Sequence, residues 1–180
     1  MTGRSADGPP DPVPVSVPGP AQGPVACPPA ARVVCLDAAD RVLLLEWRDP
    51  YDGSRLREPP GGGIEPGETP LGAARRELAE ETGLDPAAVL DRPVPVDRDV
   101  RWKGRRYRGT ELFFPARFDG ERPAVSRGGL LPHERTSLEG YAWVSWPDLG
   151  SPTGRVEPPR LLSVLAALLP DGPWGERFAP

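Results

Sequence analysis

Histidine occurs once in the 180 residues, at His133, and cysteine twice, at Cys27 and Cys35. The two cysteines make no metal-type spacing and no disulfide framework, which excludes zinc-cluster and disulfide-scaffold classes. Cys35 lies inside an apolar run and reads as a buried thiol in a reducing cytoplasm. No stretch of about 18 apolar residues is present, so no membrane span is expected. The N-terminus lacks a basic start followed by an apolar run, so no secretory signal is expected either. A net basic charge is also absent. The formal net charge is −4, which leaves no overall cationic footprint for a nucleic-acid backbone or an anionic membrane.

Proline is abundant, at 27 residues, and densest before Ala30. Residues 1–29 combine that density with little bulk to bury, which predicts a disordered or polyproline-like tail. From Ala31 the composition becomes that of a globular domain, 38% hydrophobic and 27% charged over the whole chain, long enough for one core. ARVVCLD and RVLLLEW predict a buried hairpin. RDPYDGSRLREPP reads as a polar loop and DPAAVL as a short helical turn. DVRW and RRYRGTELFFPARF predict strands joined at Lys103-Gly104. A long loop, residues 119–140, precedes the strand EGYAWVSW, and PPRLLSVLAALL predicts a helix. Strands interrupted by two main helices predict an α/β or α+β layered domain. The boundaries are 1–29 for the N-terminal tail, 30–170 for the domain and 171–180 for a C-terminal tail.

One segment, GGGIEPGETPLGAARRELAEETGL from Gly61 to Leu84, carries the chemistry. Thr69 suits the N-cap, Pro70 the first helical position, and Gly83 the residue past the end. Leu71, Ala74 and Leu78 share the expected core face. Glu77, Glu80 and Glu81, spaced i, i+3, i+4, fall on its flank within roughly 100° of arc. A solvated acidic face explains this crowding badly. Glu80 and Glu81 sit in the last turn, where the helix dipole disfavours anions, and Glu77 and Glu81 are a like-charged i, i+4 pair. Arg76 relieves Glu80, but one arginine does not balance three carboxylates. Clustered carboxylate oxygens without Cys or His suit a hard ion, Mg²⁺ or Mn²⁺. The triplet Gly61-Gly62-Gly63 either lets backbone approach that ion or simply makes a tight turn.

The segment resembles the Nudix box, G-x5-E-x7-R-E-U-x-E-E-x-G-U with U a bulky apolar residue. Gly62, Glu68, Arg76, Glu77, Leu78, Glu80, Glu81, Gly83 and Leu84 fill every defined position. The likeness runs from about Ala31 to Leu169. It departs at Glu58-Pro59, where an apolar residue or Trp is more usual. The resemblance implies a Nudix-type α/β/α sandwich with a mixed β-sheet. It implies an enzyme, a pyrophosphohydrolase that cleaves the diphosphate of a nucleoside diphosphate linked to X with Mg²⁺ or Mn²⁺. Glu77, Glu80 and Glu81 would be metal ligands, and the Gly61 carbonyl would join them. Arg76 would orient the glutamates, and Glu68 would orient water from farther out.

Members also draw a carboxylate from outside the box, and Glu134 and Glu139 are the candidates. His133 reads as a surface residue. Trp47 and Trp102 each end a strand and are candidates to stack on substrate, and Glu111 and Arg108 to face it. The expected partner is a small nucleotide or nucleotide sugar, with no nucleic acid and no membrane, in the cytoplasm. A homodimer stays open. A non-catalytic nucleotide or metabolite sensor and an isomerase-like enzyme on the same fold are the competing readings. The intact glutamate set favours hydrolysis. Markers of ADP-ribose-type and diadenosine-type members are absent, so the substrate is open.

Overall fold

The expected hairpin forms the centre of the sheet. Strand β2 (Ala30–Leu36) pairs antiparallel with β3 (Arg41–Arg48). The computed structural model describes residues 25–150 and 155–175, so residues 1–24 and 176–180 of the two expected tails lie outside the described residues, as does the His133 side chain. Both strands are nearly continuous apolar runs because both faces are covered by helix. Asp37 closes their turn. Its buried carboxylate accepts from the backbone N–H of Ala39, Arg41 and Arg122, each at 2.9 Å. Burial alone would raise its pKa, but these bonds and the Arg41 guanidinium hold it below the ordinary range.

The sheet is mixed and branched. The main path runs β1 (Val25–Ala26), β7 (Arg105–Arg117), β2, β3, β4 (Arg55–Glu58), β9 (Arg155–Val156). Three further strands branch off: β5 (Gly61–Gly63) pairs with β2, β6 (Val94–Trp102) with β7, and β8 (Leu138–Ser145) with β3. Strands β2 and β7 run parallel, with Val33 opposite Phe114, whereas β6 and β7 form an antiparallel hairpin.

Side-chain alternation along β2 divides the core in two. Ala31, Val33 and Cys35 pack against α1 (Pro70–Thr82) through Ala73, Ala74 and Leu78. Val34 and Leu36 pack on the other face, against Leu161, Val164, Leu165 and Leu168 of α3 (Leu161–Leu168). This is the α/β/α sandwich. A third cluster, around Leu45, Trp47, Leu56, Val100 and Leu138, lies where the sheet splits.

Several boundaries differ from the sequence reading. The fold begins before Ala30: β1 lies parallel to β7, and the Pro29 carbonyl accepts from Ile64 N–H. It also continues past Pro170, because Trp174 is fully buried, donates Nε1–H to the Leu169 carbonyl at 2.8 Å, and meets Trp146 edge-to-face. Two-residue strands and a single tryptophan carry no periodicity, so the chain pattern does not announce them. The polar loop after Arg48 contains β4, whose polar residues Arg55, Arg57 and Glu58 each join an ion pair with another strand. The glycine triplet is a strand, β5, not a turn. The long loop at 119–140 contains a short helix, α2 (Pro132–Ser137), flanked by buried Leu130 and Leu138.

Candidate active site

Helix α1 is set by its caps. Thr69 Oγ1 accepts from Gly72 N–H at 3.0 Å, Pro70 opens the helix, and Gly83 closes it at φ 67°. The helix is turned further into the protein than its apolar stripe indicates. Its buried residues are Ala73, Ala74, Glu77, Leu78, Glu81 and Thr82, while Leu71 is only half-buried. Glu77 and Glu81 therefore lie in the packed face rather than on its flank, with Glu81 only 4% exposed. The glycine strand β5 is what covers them.

Two devices hold the carboxylates. Arg76 is the first. Its guanidinium donates Nε–H to Glu68 Oε1 and Nη2–H to Glu68 Oε2, both at 3.0 Å, and Nη2–H also to the Gly63 carbonyl at 2.9 Å. Its Nη1 donates to Glu77 Oε1 at 2.8 Å and Glu80 Oε2 at 3.0 Å. One arginine thus fixes three carboxylates and the loop before the helix. Glu68 is engaged as the bidentate partner of Arg76, which holds its pKa below the ordinary range. The second device is β5 itself. Gly61 N–H donates to Glu81 Oε2 at 2.7 Å. A Cβ at Gly61, which sits at φ 146°, would collide with the Ala31 carbonyl, and one at Gly62 would lie 2.6 Å from Glu77 Oε1. Gly61 is there because β5 lies close on β2, and Gly62 because the strand and the Glu77 carboxylate share the same space.

This arrangement strains the carboxylates electrostatically. Burial pushes Glu81 well above the usual carboxylate range, the Gly61 N–H offsets part of that, and the Glu77 charge adds to it. Burial also raises Glu77, with Arg76 opposing and the charges of Glu80 and Glu134 adding. Among the described residues no three His, Cys, Asp or Glu groups stand gathered as a ready metal cage. The reason is visible in the bonds: Arg76 draws Glu77 and Glu80 to itself, while Glu81 turns to Gly61.

The two outlying carboxylate candidates separate cleanly. Glu134, on α2, lines a cavity of about 170 Å³ together with Gly61, Glu81, Glu58, Trp102 and Lys103. Glu139 does not line it. It lies on the outer surface of β8, paired with Arg55 at 2.6 Å and Arg48 at 3.8 Å, because those cations on β3 and β4 capture it first. Alongside runs a more apolar cavity of about 250 Å³, walled by Cys27, Leu56, Val100, Trp102, Tyr107, Gly62 and Gly63. Glu58 and Trp102 border both spaces.

Residues 27–165 match the NUDIX domain. The chain belongs to the Nudix family. An RNA pyrophosphohydrolase of Rhodopseudomonas palustris is 35% identical over 132 residues, which cover 67% of this chain and 75% of that one. One from Erythrobacter litoralis is 41% identical over 95 residues, 47% of this chain and 56% of that one. The chain thus spans little more than half the length of some of the relatives it matches. In fold it is similar to the E. coli dihydroneopterin triphosphate pyrophosphohydrolase, with TM-score 0.59, 21% identity, and coverage of 81% of this chain and 97% of that one. A C. elegans Ap4A hydrolase in a binary complex gives TM-score 0.56 and 20% identity, covering 81% of this chain and 100% of that one.

The Nudix site contains residues that sequence reasoning did not assemble. Glu58, the departure before the box, joins Arg32, Arg98 and Glu111 in a charged quartet under the apolar cavity. Arg32 lies 3.1 Å from Glu58 and 2.6 Å from Glu111, and Arg98 lies 2.9 Å and 3.5 Å from the same two. Glu111 was singled out on its strand, and it does line the cavity. Arg108, singled out with it, faces away and pairs with Asp99. Trp102 reaches both cavities, whereas Trp47 is mostly buried at the edge of the smaller one. The quartet spans 79 residues of chain from Arg32 to Glu111, and β2, β4, β6 and β7 bring its members together.

Gly62→Ala isolates the role of the glycine strand. The three atoms nearest the added methyl, at 2.6, 2.7 and 2.9 Å, all belong to the Glu77 carboxylate, which should shift from its bond to Arg76. Turnover should fall by about tenfold or more, as expected when a charged group is misplaced by about 1 Å. The melting temperature should move by only a few degrees, because no backbone is displaced. Steady-state kinetics beside a thermal melt checks this, and an unchanged kcat would refute it.

Proposed function

We propose that this Nudix domain hydrolyses the diphosphate linkage of a nucleoside diphosphate joined to a further group, using Mg²⁺ or Mn²⁺ held by Glu77, Glu80 and Glu81. One observation carries this reading. Three carboxylates, Glu58, Glu81 and Glu134, line one cavity of about 170 Å³ in which the lining offers a single cation. Such a space favours added positive charge, and its donors are hard oxygens suited to Mg²⁺ or Mn²⁺. Of the proposed ligands Glu81 lines this cavity, and Glu77 and Glu80, bonded to Arg76, would turn from it toward the ion. Glu134 is the added carboxylate of the set.

A bound divalent ion supplies charge neutralisation of the phosphate oxygens and a lowered pKa for water. The protein's own residues do the rest. Before the ion binds, Arg76, clamped by Glu68, holds Glu77 and Glu80 on one side of the helix. Gly61 N–H fixes the direction of Glu81. Burial disfavours the charged form of Glu77 and Glu81 without the ion, so a nearby cation, little screened by water there, acts strongly on them. Glu134 is placed to orient or accept a proton from an attacking water, and its side chain already bonds the Leu131 N–H at 2.8 Å. The apolar cavity next door takes the group X or the base, with the Trp102 and Tyr107 rings available to stack.

A small nucleotide or nucleotide sugar is the first reading of the substrate. A 5′-phosphorylated RNA end is the second, favoured by the names of the relatives and by the hairpin tip of β6 and β7. That tip carries Arg101, Lys103 and Arg105, with Arg106 and Arg108 behind them sharing Asp99, in a chain of net negative charge. The test is a panel of nucleotides, nucleotide sugars, dinucleotides and a 5′-triphosphorylated RNA, each with Mg²⁺ and with a chelator. Release of phosphate or diphosphate, lost on chelation, is the expected outcome. Binding without turnover across the panel would favour the sensor reading instead.

A further inference from the structure

Lys103 is the single lysine among the 22 lysines and arginines of this chain. It occupies the tip of the β6–β7 hairpin and lines the same cavity as Gly61, Glu81 and Glu134. We propose that Lys103 binds a non-bridging phosphate oxygen of the substrate at this site. The inference rests on the diphosphate-hydrolase reading above and adds to it the cation that meets the substrate from outside the Nudix box.

The backbone is built to hold this residue in place. Lys103 has φ 51° and Gly104 φ 72°, the paired left-handed conformation of a two-residue hairpin turn. The first of those positions favours Asn, Asp or Gly, and a side chain as long as lysine is disfavoured there. The turn is anchored from below. Asp49, which is 3% exposed, accepts Lys103 N–H through Oδ2 and Tyr51 N–H through Oδ1, both at 2.8 Å. Gly104 packs so close to the Tyr51 ring that a Cβ would stand 3.1 Å from it. A buried carboxylate and an aromatic ring thus fix where the lysine stem starts, while its head remains movable.

The charge environment supports the same role. Arg32, Arg76 and Arg98 are committed to carboxylates around the site. Among the described residues Lys103 is in no such ion pair. Its ammonium is a compact charge with three rotatable donors on a flexible stem, suited to follow a phosphate as it separates. An arginine fork fixes one geometry, whereas a lysine acts as a point charge toward phosphate. The simpler alternative makes Lys103 a counter-ion for Glu58, Glu81 and Glu134 only. The two roles differ in sign toward metal: a counter-ion competes with it, and a phosphate ligand acts beside it.

The deciding experiment is calorimetric titration of the Mg²⁺-loaded protein with methylenediphosphonate, a diphosphate that cannot be hydrolysed. Lys103→Met should bind it roughly 10- to 100-fold more weakly, the loss of one charge-assisted contact. Lys103→Arg should recover part of the affinity. Mn²⁺ binding without the diphosphonate should be unchanged in Lys103→Met, whereas tighter Mn²⁺ binding with diphosphonate affinity retained would mark a counter-ion only. As a second measurement on the unaltered chain, acylation of the Lys103 side chain by an N-hydroxysuccinimide ester should be slowed by Mg²⁺ with diphosphonate and not by Mg²⁺ alone. Wild-type binding that Lys103→Met retains within about twofold overturns the role of Lys103 and leaves the hydrolase reading standing. A wild-type protein that neither binds the diphosphonate nor hydrolyses any diphosphate overturns both.

Discussion

Glu81→Gln should lower turnover by at least two to three orders of magnitude, the scale of losing a major electrostatic element of an active site. The same substitution should leave the metal-free fold intact or stabilise it. Glu81 is buried, carries one backbone hydrogen bond, and feels the charge of Glu77, so its charged form is disfavoured in the folded state. Its pKa is raised above the ordinary 4.5. The sign of the pH dependence follows. Below about pH 4.5 folded and unfolded chains both hold the proton, and the contribution to stability is complete. As pH rises from there toward the folded-state value, the unfolded chain alone gives up its proton, and that contribution is lost. Metal-free wild type should therefore weaken across this window, and Glu81→Gln should lack that part of the slope. Urea unfolding at several pH values, beside turnover with Mg²⁺, measures both effects. Strong destabilisation with activity retained would show that the glutamate patch is structural.

Arg98→Ala should do the opposite and strike the fold. Arg98 is 3% exposed, stands over the Phe113 ring, and faces Glu58 and Glu111 across the quartet. Glu111 is held below the ordinary carboxylate range, its burial being outweighed by Arg32 and Arg98. Removing Arg98 leaves two buried carboxylates to share Arg32. Breaking a buried pair in this way costs about 3–5 kcal/mol, or a fall in melting temperature on the order of 10 °C for a domain of this size. The quartet is not the most stable choice the site could make. Among the described residues Arg98 Nε and Nη1 have no hydrogen-bond partner, so its satisfaction is incomplete. Pairing Arg98→Met with Glu58→Leu should recover most of the loss, since an apolar replacement of a buried ion pair is often neutral. Denaturant unfolding of the two single variants and the double variant tests this. A loss below about 1 kcal/mol for Arg98→Ala would place the quartet among surface ion pairs.

The helix of the Nudix box was legible because its signals are local. The Thr69 cap, Pro70, Gly83 and the glutamate spacing all act within a few residues of one another. The β2–β3 hairpin was legible for the same reason, as two apolar runs joined by a short turn. What the sequence obscured depends on who covers whom. Leu71, Ala74 and Leu78 mark an apolar stripe, yet α1 buries Glu77 and Glu81 because β5 lies over that side, and no residue of the helix records it. The glycine triplet is compatible with a turn or a close approach. Only pairing with β2 makes it a strand, and it gives Gly61 and Gly62 neighbours that exclude a side chain while Gly63 stays open.

The same distinction separates the two parts of the site. The sequence by itself determined the family, the helix, the carboxylates on it and Arg76 beside them, because fixed spacing on a helix is fixed geometry. Tertiary structure decided that Glu134 and not Glu139 reaches the cavity, since both are carboxylates near α2 and only the cations of β3 and β4 tell them apart. It also decided that Glu58 becomes a charged wall and that Lys103 stands at the mouth. These residues come from separate strands, and their chemistry depends on distances across the sheet, which strand order and register set and local sequence does not contain.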